Sequence, residues 1–191
     1  SYPCPDAIAM VLHRMQGIDR RSLTGFLCEK ENRAILSAFI HQFDFSNQPL
    51  DEALRAVLAR LEIIHPNKYR WRQFIVGKLA SKPAYDGKHA VLRFTSDHYC
   101  NLNTVLVEKV YGSRLVVYTL LMQFFLLDTK LSKIRFYKRI THQRKSKEWC
   151  NFTQQCRDAL FPTVDSDFPV DQLVRPAFDR ILNTCFGITG N

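Results

Sequence analysis

Residues 115–127, with the sequence LVVYTLLMQFFLL, form the longest nearly apolar run in the chain, and the fold prediction starts from them. The run has 13 residues, and only Thr119 and Gln123 interrupt it. A helix needs about 20 apolar residues to cross the hydrocarbon core of a bilayer. The sequence therefore predicts a core helix over about 114–128, and not a membrane span.

The rest of the chain carries the helical period around this run. Apolar residues recur at i, i+3 and i+4 spacing, and no stretch alternates as a half-buried strand does. Proline or acidic residues stand at several first-turn positions, as at Pro5 and Pro49. The predicted helices lie at about 5–15, 22–27, 35–43, 49–61, 90–99, 114–128, 149–160 and 169–187. The pattern predicts an all-α fold of about nine or ten short helices.

Two segments fit this pattern poorly. Residues 65–89 are rich in helix breakers and charge, which is typical of a long connection or insertion. We therefore expect a single domain over 1–191 with a divergent insertion at about 65–89. The second segment is 130–147, KLSKIRFYKRITHQRKSK, hereafter the basic stretch.

Length and composition set the class of protein. With 191 residues, 46% hydrophobic and 24% charged, the chain suffices for one domain with a core, and disordered or collagen-like classes are excluded. The N-terminus lacks an initiator Met and the features of a signal peptide, so we expect a fragment excised from a longer cytoplasmic protein. The six cysteines form no C-x-x-C pair, which favours reduced thiols in the core.

The positive charge is concentrated in the basic stretch. Residues 130–147 hold 8 basic and no acidic groups, a net of +8, whereas 1–129 carry +4 and 148–191 carry −3. Three interpretations remain open: a solvated helix face, a site for an anionic membrane surface, or a site for a nucleic-acid backbone. The candidate residues for binding an anionic surface are Lys130, Lys133, Arg135, Lys138, Arg139, Arg144, Lys145 and Lys147.

Motifs for self-contained catalysis are absent from the sequence. It contains no phosphate-binding glycine loop, no dinucleotide fingerprint, no H-E-x-x-H and no G-x-S-x-G. The six histidines are dispersed, with no i, i+4 pair to hold a metal. We therefore expect neither a metal nor a cofactor.

Several blocks of sequence, in the same order, resemble the Sec7 domain family. Residues 50–58, LDEALRAVL, are similar to the family's "LD.ALR.FL", and residues 94–101, FTSDHYCN, to its "FA.RY..NP". Residues 118–131, YTLLMQFFLLDTKL, are similar to "YvLayslimLNTDL", and the closing helices also follow the family's pattern. The resemblance covers roughly 8–65 and 90–185.

The resemblance implies a stack of about ten helices with a groove that binds the switch regions of Arf-family small GTPases. Within the groove segment, Asp128 stands where the family has Asn, and Lys133 lies at the family's "HN". The family also carries a glutamate on an "LPGEAQ" loop, which repels the β-phosphate and competes with it for Mg²⁺. By resemblance, the groove residues are Tyr118, Phe125, Leu126, Leu127, Asp128 and Lys133.

The chain departs from the family at that glutamate. Counting forward from the 50–58 block places the position at Pro66, and counting back from Phe94 places it near 81–85, where no acid occurs. The nearest carboxylates are Asp86 and Glu62, which are weak candidates for the catalytic acid.

We therefore hypothesise a divergent Sec7-like domain that binds an Arf-family GTPase or a related trafficking partner, with degenerate or absent exchange activity. It would act in the cytoplasm, peripherally at endomembranes. One alternative is an active exchange factor that uses Asp86 or Glu62. The other is a basic module on an unrelated helical fold that binds lipid or nucleic acid.

Overall fold

A computed structural model describes residues 4–63, 86–137, 140–184 and 186, with the backbone alone at 135–137. Within these ranges the chain forms nine α-helices and no strand, so the all-α prediction is confirmed. A 3-10 turn at Lys30–Asn32 precedes the helix Arg33–His41, and the short helix Thr104–Leu106 continues into a π-helical turn at Val107–Tyr111. The helices are α1 Pro5–Arg14, α2 Arg20–Leu27, α3 Arg33–His41, α4 Leu50–Arg60, α5 Gly87–Leu102, α6 Thr104–Leu106, α7 Arg114–Tyr137, α8 His142–Leu160 and α9 Val170–Asn183.

Local sequence explains where the helices begin. Pro5 occupies the first turn of α1, where its missing N–H costs no hydrogen bond. Asp19 caps α2 by accepting from the Ser22 amide at 2.9 Å. Thr141 caps α8 in the same way, accepting from the Arg144 amide at 3.2 Å.

Helix α7 lies at the centre of the fold and packs against α4, α5, α8 and α9. Its segment Arg114–Ile134 is long and apolar enough to cross a membrane by length and composition, with a mean hydropathy of 1.3. However, 61% of that segment's apolar window is buried by the rest of the domain, and the core helix of a globular protein passes the same test. The prediction of a core helix agrees with this packing.

The basic stretch is more regular than its sequence suggests. Helix α7 continues to Tyr137, and α8 begins at His142, well before the predicted start near 149. The expectation that 130–147 fits the helical pattern poorly is therefore wrong for its described part. Few residues of the basic stretch are apolar, so the helical spacing of its apolar residues is hard to recognise among the many cations. Most of the predicted insertion at 65–89 lies outside the described residues, and α5 begins at Gly87.

The C-terminal half of α5 is bound to the turn between α3 and α4. The Asn103 side chain donates to the Phe45 carbonyl at 3.0 Å and accepts from the Asn47 amide at 3.0 Å. The Tyr99 hydroxyl donates to the Gln48 carbonyl at 2.8 Å. These bonds fix the direction in which α5 crosses the core.

A charged pair joins α4 to the last helix. Asp51 is almost fully buried, and the Arg180 guanidinium donates to both of its oxygens at 2.7 Å. The neighbouring Asp51 carboxylate raises the pKa of Arg180, so the guanidinium stays charged. Such a two-point contact fixes orientation as well as distance, and it sets the position of α9 against α4.

Candidate functional site

The two ends of the segment that should carry the exchange glutamate meet the same helix, α2. On one side, the Glu62 amide donates to the Thr24 hydroxyl at 2.8 Å. On the other side, Gly87 lies against Cys28 at the end of α2, where a Cβ on residue 87 would come within 2.0 Å of the Cys28 carbonyl oxygen. Only glycine permits this approach, so α5 starts directly beside the end of α2.

Both candidate catalytic acids make contacts with the protein itself. The Asp86 carboxylate caps α5 by accepting from the Lys88 amide at 3.0 Å. The Glu62 carboxylate forms an ion pair with Arg21 at 3.5 Å. Each acid therefore already stabilises local structure, Asp86 at a helix start and Glu62 against α2. Pro66 and residues 81–85 lie outside the described residues.

Tyr118 is the predicted groove residue with the most polar surroundings. Its hydroxyl lies 2.8 Å from His89 Nε2, and the Arg93 guanidinium lies 5.0 Å from the centre of its ring. Burial raises the pKa of Tyr118, and burial together with the Arg93 charge lowers the pKa of His89. The pair is therefore neutral at pH 7, and it joins α7 to the N-terminal half of α5.

The other predicted groove residues separate into two groups. Phe125, Leu127 and Asp128 are buried in the core, and an Asp128 carboxylate oxygen accepts from the Phe186 amide at 2.8 Å. Leu126 is half-buried and Lys133 is exposed. Together with the half-buried Tyr118, these two residues are the members that a partner can reach in this structure, and the assignment of the groove itself stays a prediction.

Two cations of the basic stretch share one buried carboxylate within the fold, which leaves the cluster with a net charge of +1. Glu148 is buried, and its carboxylate pairs with Lys130 at 2.9 Å and with Arg144 at 3.1 Å. The count of charges over 130–147 did not include this carboxylate, because Glu148 is the residue directly after the basic stretch. Lys133, Lys145 and Lys147 are exposed, whereas the side chains of Arg135, Lys138 and Arg139 lie outside the described part of the chain.

Some residues that shape the site were missed by sequence reasoning. The resemblance pointed to Asn101, but Asn103 is the buried asparagine that binds the turn at 45–47, and Asn101 accepts from Arg114 at the surface. Both asparagines follow Tyr99 closely, so the motif alone does not choose between them. In the ranges that the structure describes, no group of three His, Cys, Asp or Glu side chains is placed to hold a metal.

The cysteines divide between core and surface. Cys100 and Cys156 are buried, as the sequence predicts, and burial raises their pKa values. Cys4 and Cys150 are exposed, so the expectation of core thiols is wrong for them. The described cysteines are all unpaired.

The fold and its surface define an all-α domain built around one central apolar helix. A family model described as the Sec7 domain matches residues 2–184, and the chain therefore belongs to the Sec7 domain family. This family consists of guanine-nucleotide exchange factors for Arf-family small GTPases, as the resemblance implied.

A solved structure supports the same fold. The structure described as "Crystal structure of Sec7p catalytic domain" matches with a TM-score of 0.67 and 18% sequence identity, over 95% of this chain and 79% of that chain. At this identity the likeness shows the fold alone. Among curated proteins, no sequence matches.

Proposed function

We propose that this chain is a Sec7 domain that binds an Arf-family small GTPase and has lost most or all of its exchange activity. Binding would use the exposed part of the predicted groove, namely Tyr118, Leu126 and Lys133. The observation that carries the proposal is that no acid occurs at 81–85, while the two nearest acids are held in structural contacts. A carboxylate that caps a helix or pairs with arginine must give up that contact before it can approach a phosphate site.

The runner-up is an active exchange factor that uses Asp86 or Glu62. It requires the acid to leave its present contact when the GTPase binds. For Asp86 that costs the cap of α5, about 1 kcal/mol. For Glu62 it costs an exposed ion pair, which contributes at most about 1 kcal/mol. Neither cost is large enough to exclude this alternative. An exchange assay is therefore needed to decide between the two functions.

A nucleotide-exchange assay over a panel of Arf-family GTPases separates the two. We expect the chain to leave the rate of nucleotide release within about twofold of the spontaneous rate, because no free carboxylate competes for the β-phosphate and Mg²⁺. Asp86→Ala and Glu62→Ala should then change nothing. Strong acceleration that either variant abolishes would establish the runner-up instead.

A second proposal concerns the basic stretch. Three exposed lysines, Lys133, Lys145 and Lys147, have no carboxylate partner among the described residues. We propose that they hold the domain against an anionic membrane surface, peripherally at endomembranes on the cytoplasmic side. Each cation near such a surface contributes about 1 kcal/mol, and the attraction fades over a Debye length of roughly 8 Å. Binding should therefore weaken steeply as salt rises.

Nucleic acid is the less favoured partner for the same lysines. The family match excludes the unrelated helical fold that this alternative assumed. Steep salt dependence alone does not distinguish the two polyanions. Tight RNA binding without vesicle binding would favour the nucleic-acid alternative.

A further inference from the structure

A cavity of about 480 Å³ opens between the N-terminal half of α8 and the C-terminal half of α9. Each helix contributes residues from one face, at i, i+3 and i+4 spacing. The residues that line it include Lys145, Trp149, Arg175, Phe178, Asp179 and Leu182.

The floor of the cavity is aromatic and rigid. The Trp149 ring meets the Phe178 ring edge to face, with 5.1 Å between centroids. Phe178 is buried in the core, and Trp149 is half-buried. The floor is therefore held by the packing of the domain and does not depend on a ligand to form.

The rim of the cavity carries positive charge with unused donors. Arg175 stacks over Trp149, with its guanidinium carbon 4.5 Å from the ring centre. Its Nε pairs with the Asp179 carboxylate at 3.2 Å, which holds the guanidinium plane in place. Across the part of the chain that the structure describes, neither the terminal amino groups of Arg175 nor the Lys145 ammonium has a protein acceptor.

We propose that this cavity binds the headgroup phosphate of an anionic lipid. The fork of a fixed guanidinium matches two phosphate oxygens, and the lysine adds a flexible point charge. Tryptophan is the side chain that prefers the boundary between membrane and water, so Trp149 would lie beside the headgroup. The Asp179 carboxylate opposes an anion and offsets the charge of Arg175, so the net positive charge of the rim comes from Lys145, while Arg175 contributes the hydrogen-bond donors of its fork. The inference rests on the proposed membrane binding of the basic stretch and gives that binding a specific site.

Two lysines on opposite sides of α8 allow a matched test. Lys145 lines the cavity, whereas Lys147 is exposed and lies two residues on, about 200° around the helix. Lys145→Glu and Lys147→Glu change the net charge equally. Arg175→Lys keeps the charge and removes the fork. All three side chains are exposed, so the variants should stay folded, which circular dichroism checks.

The measurement is sedimentation with vesicles of phosphatidylcholine, alone or mixed with phosphatidylserine or with a phosphoinositide at equal total charge. We expect tighter binding to the phosphoinositide vesicles. Lys145→Glu should weaken that binding about thirtyfold or more and Arg175→Lys severalfold, whereas Lys147→Glu should weaken it only about fivefold, as the loss of one surface cation does. Soluble inositol phosphate should compete, which would show that phosphate and not the bilayer is recognised in the cavity.

The outcomes separate the cavity from the general membrane proposal. Equal losses for Lys145→Glu and Lys147→Glu, with full affinity in Arg175→Lys, would leave membrane binding intact and overturn the cavity assignment. No binding to any anionic vesicle would overturn both.

Discussion

His98 shows at the scale of one residue how burial makes this fold sensitive to acid. Its ring is nearly buried and packs near Phe45, and its Nε2 lies 2.7 Å from the Phe43 carbonyl. Burial lowers its pKa, and the nearby His41 acts in the same direction, while Asp44 and the carbonyl oppose them. The imidazole is therefore held neutral with Nε2 as the donor.

This arrangement predicts that the domain loses stability as pH falls below about 6.5. The unfolded chain takes up a proton there, whereas the folded His98 resists it, so the unfolded state is favoured. Burial lowers the pKa values of His13 and His89 as well, and they add to the effect. We expect the Tm at about pH 5.5 to be lower than at about pH 7.5 by several degrees.

The variant His98→Gln isolates one part of this dependence. Glutamine does not titrate, so the difference in Tm between the two pH values should shrink, even if the variant is less stable at both. His142 is exposed, and His142→Gln is the matched control. An unchanged pH dependence in His98→Gln would contradict the assignment to this histidine.

Helices α7 and α8 are joined by the buried carboxylate of Glu148, which lies between Lys130 of α7 and Arg144 of its own helix. Removing its charge leaves two cations facing each other without an anion. We expect Glu148→Gln to lower the free energy of unfolding by about 1 to 2 kcal/mol, a modest value because both partners are partly exposed to water. Urea unfolding measures it.

A matched control and a second condition sharpen this result. Glu108 is exposed, and Glu108→Gln should change stability by less than about 0.5 kcal/mol. High salt should reduce the loss in Glu148→Gln only in part, because Glu148 is buried while its two cationic partners are partly exposed. A loss that disappears in salt would mean that Glu148 acts only through surface charge.

Some helices and buried residues could be predicted from the sequence, and others could not. The helical period of α3, α4 and α9 was readable because each buries a single apolar face, and α7 was readable from its long apolar run, since it is buried on nearly all sides. The start of α8 was missed because its first residues, 142–148, are polar and face water except at Glu148. The burial of Asp128 was missed for a different reason: its partner is the Phe186 amide, 58 residues away, and no local pattern reports such a contact.

The predicted groove residues also show which features the local sequence contains and which require the structure. Tyr118 could be chosen from its place in the family pattern, but its partners His89 and Arg93 come from α5 and required the structure. The buried Phe125 and Leu127 carry the same apolar character as surface groove residues would, so composition cannot separate core from groove along α7.

At the scale of the whole molecule, α7 connects the proposed activities. Its N-terminal half carries Tyr118 beside α5, and its C-terminal half carries the exposed Lys133. The following helix, α8, carries the exposed Lys145 and Lys147. A GTPase bound at Tyr118, Leu126 and Lys133 of α7 would leave the α8–α9 cavity free, because that cavity is lined by other helices. The proposed GTPase-binding residues and the proposed lipid cavity therefore lie on different helices, so the two proposals do not compete for the same residues.

We propose above that this Sec7 domain binds an Arf-family GTPase without catalysing exchange. The most direct test is the affinity for nucleotide-free GTPases, measured by calorimetry together with the release rate for the same proteins. We expect Tyr118→Ala to weaken binding about tenfold or more, whereas Leu115→Ala, at an exposed leucine on the same helix, should leave binding unchanged. Nucleotide release should stay at the spontaneous rate. Nucleotide release that is strongly accelerated, or binding that is equal in the two variants, would contradict it.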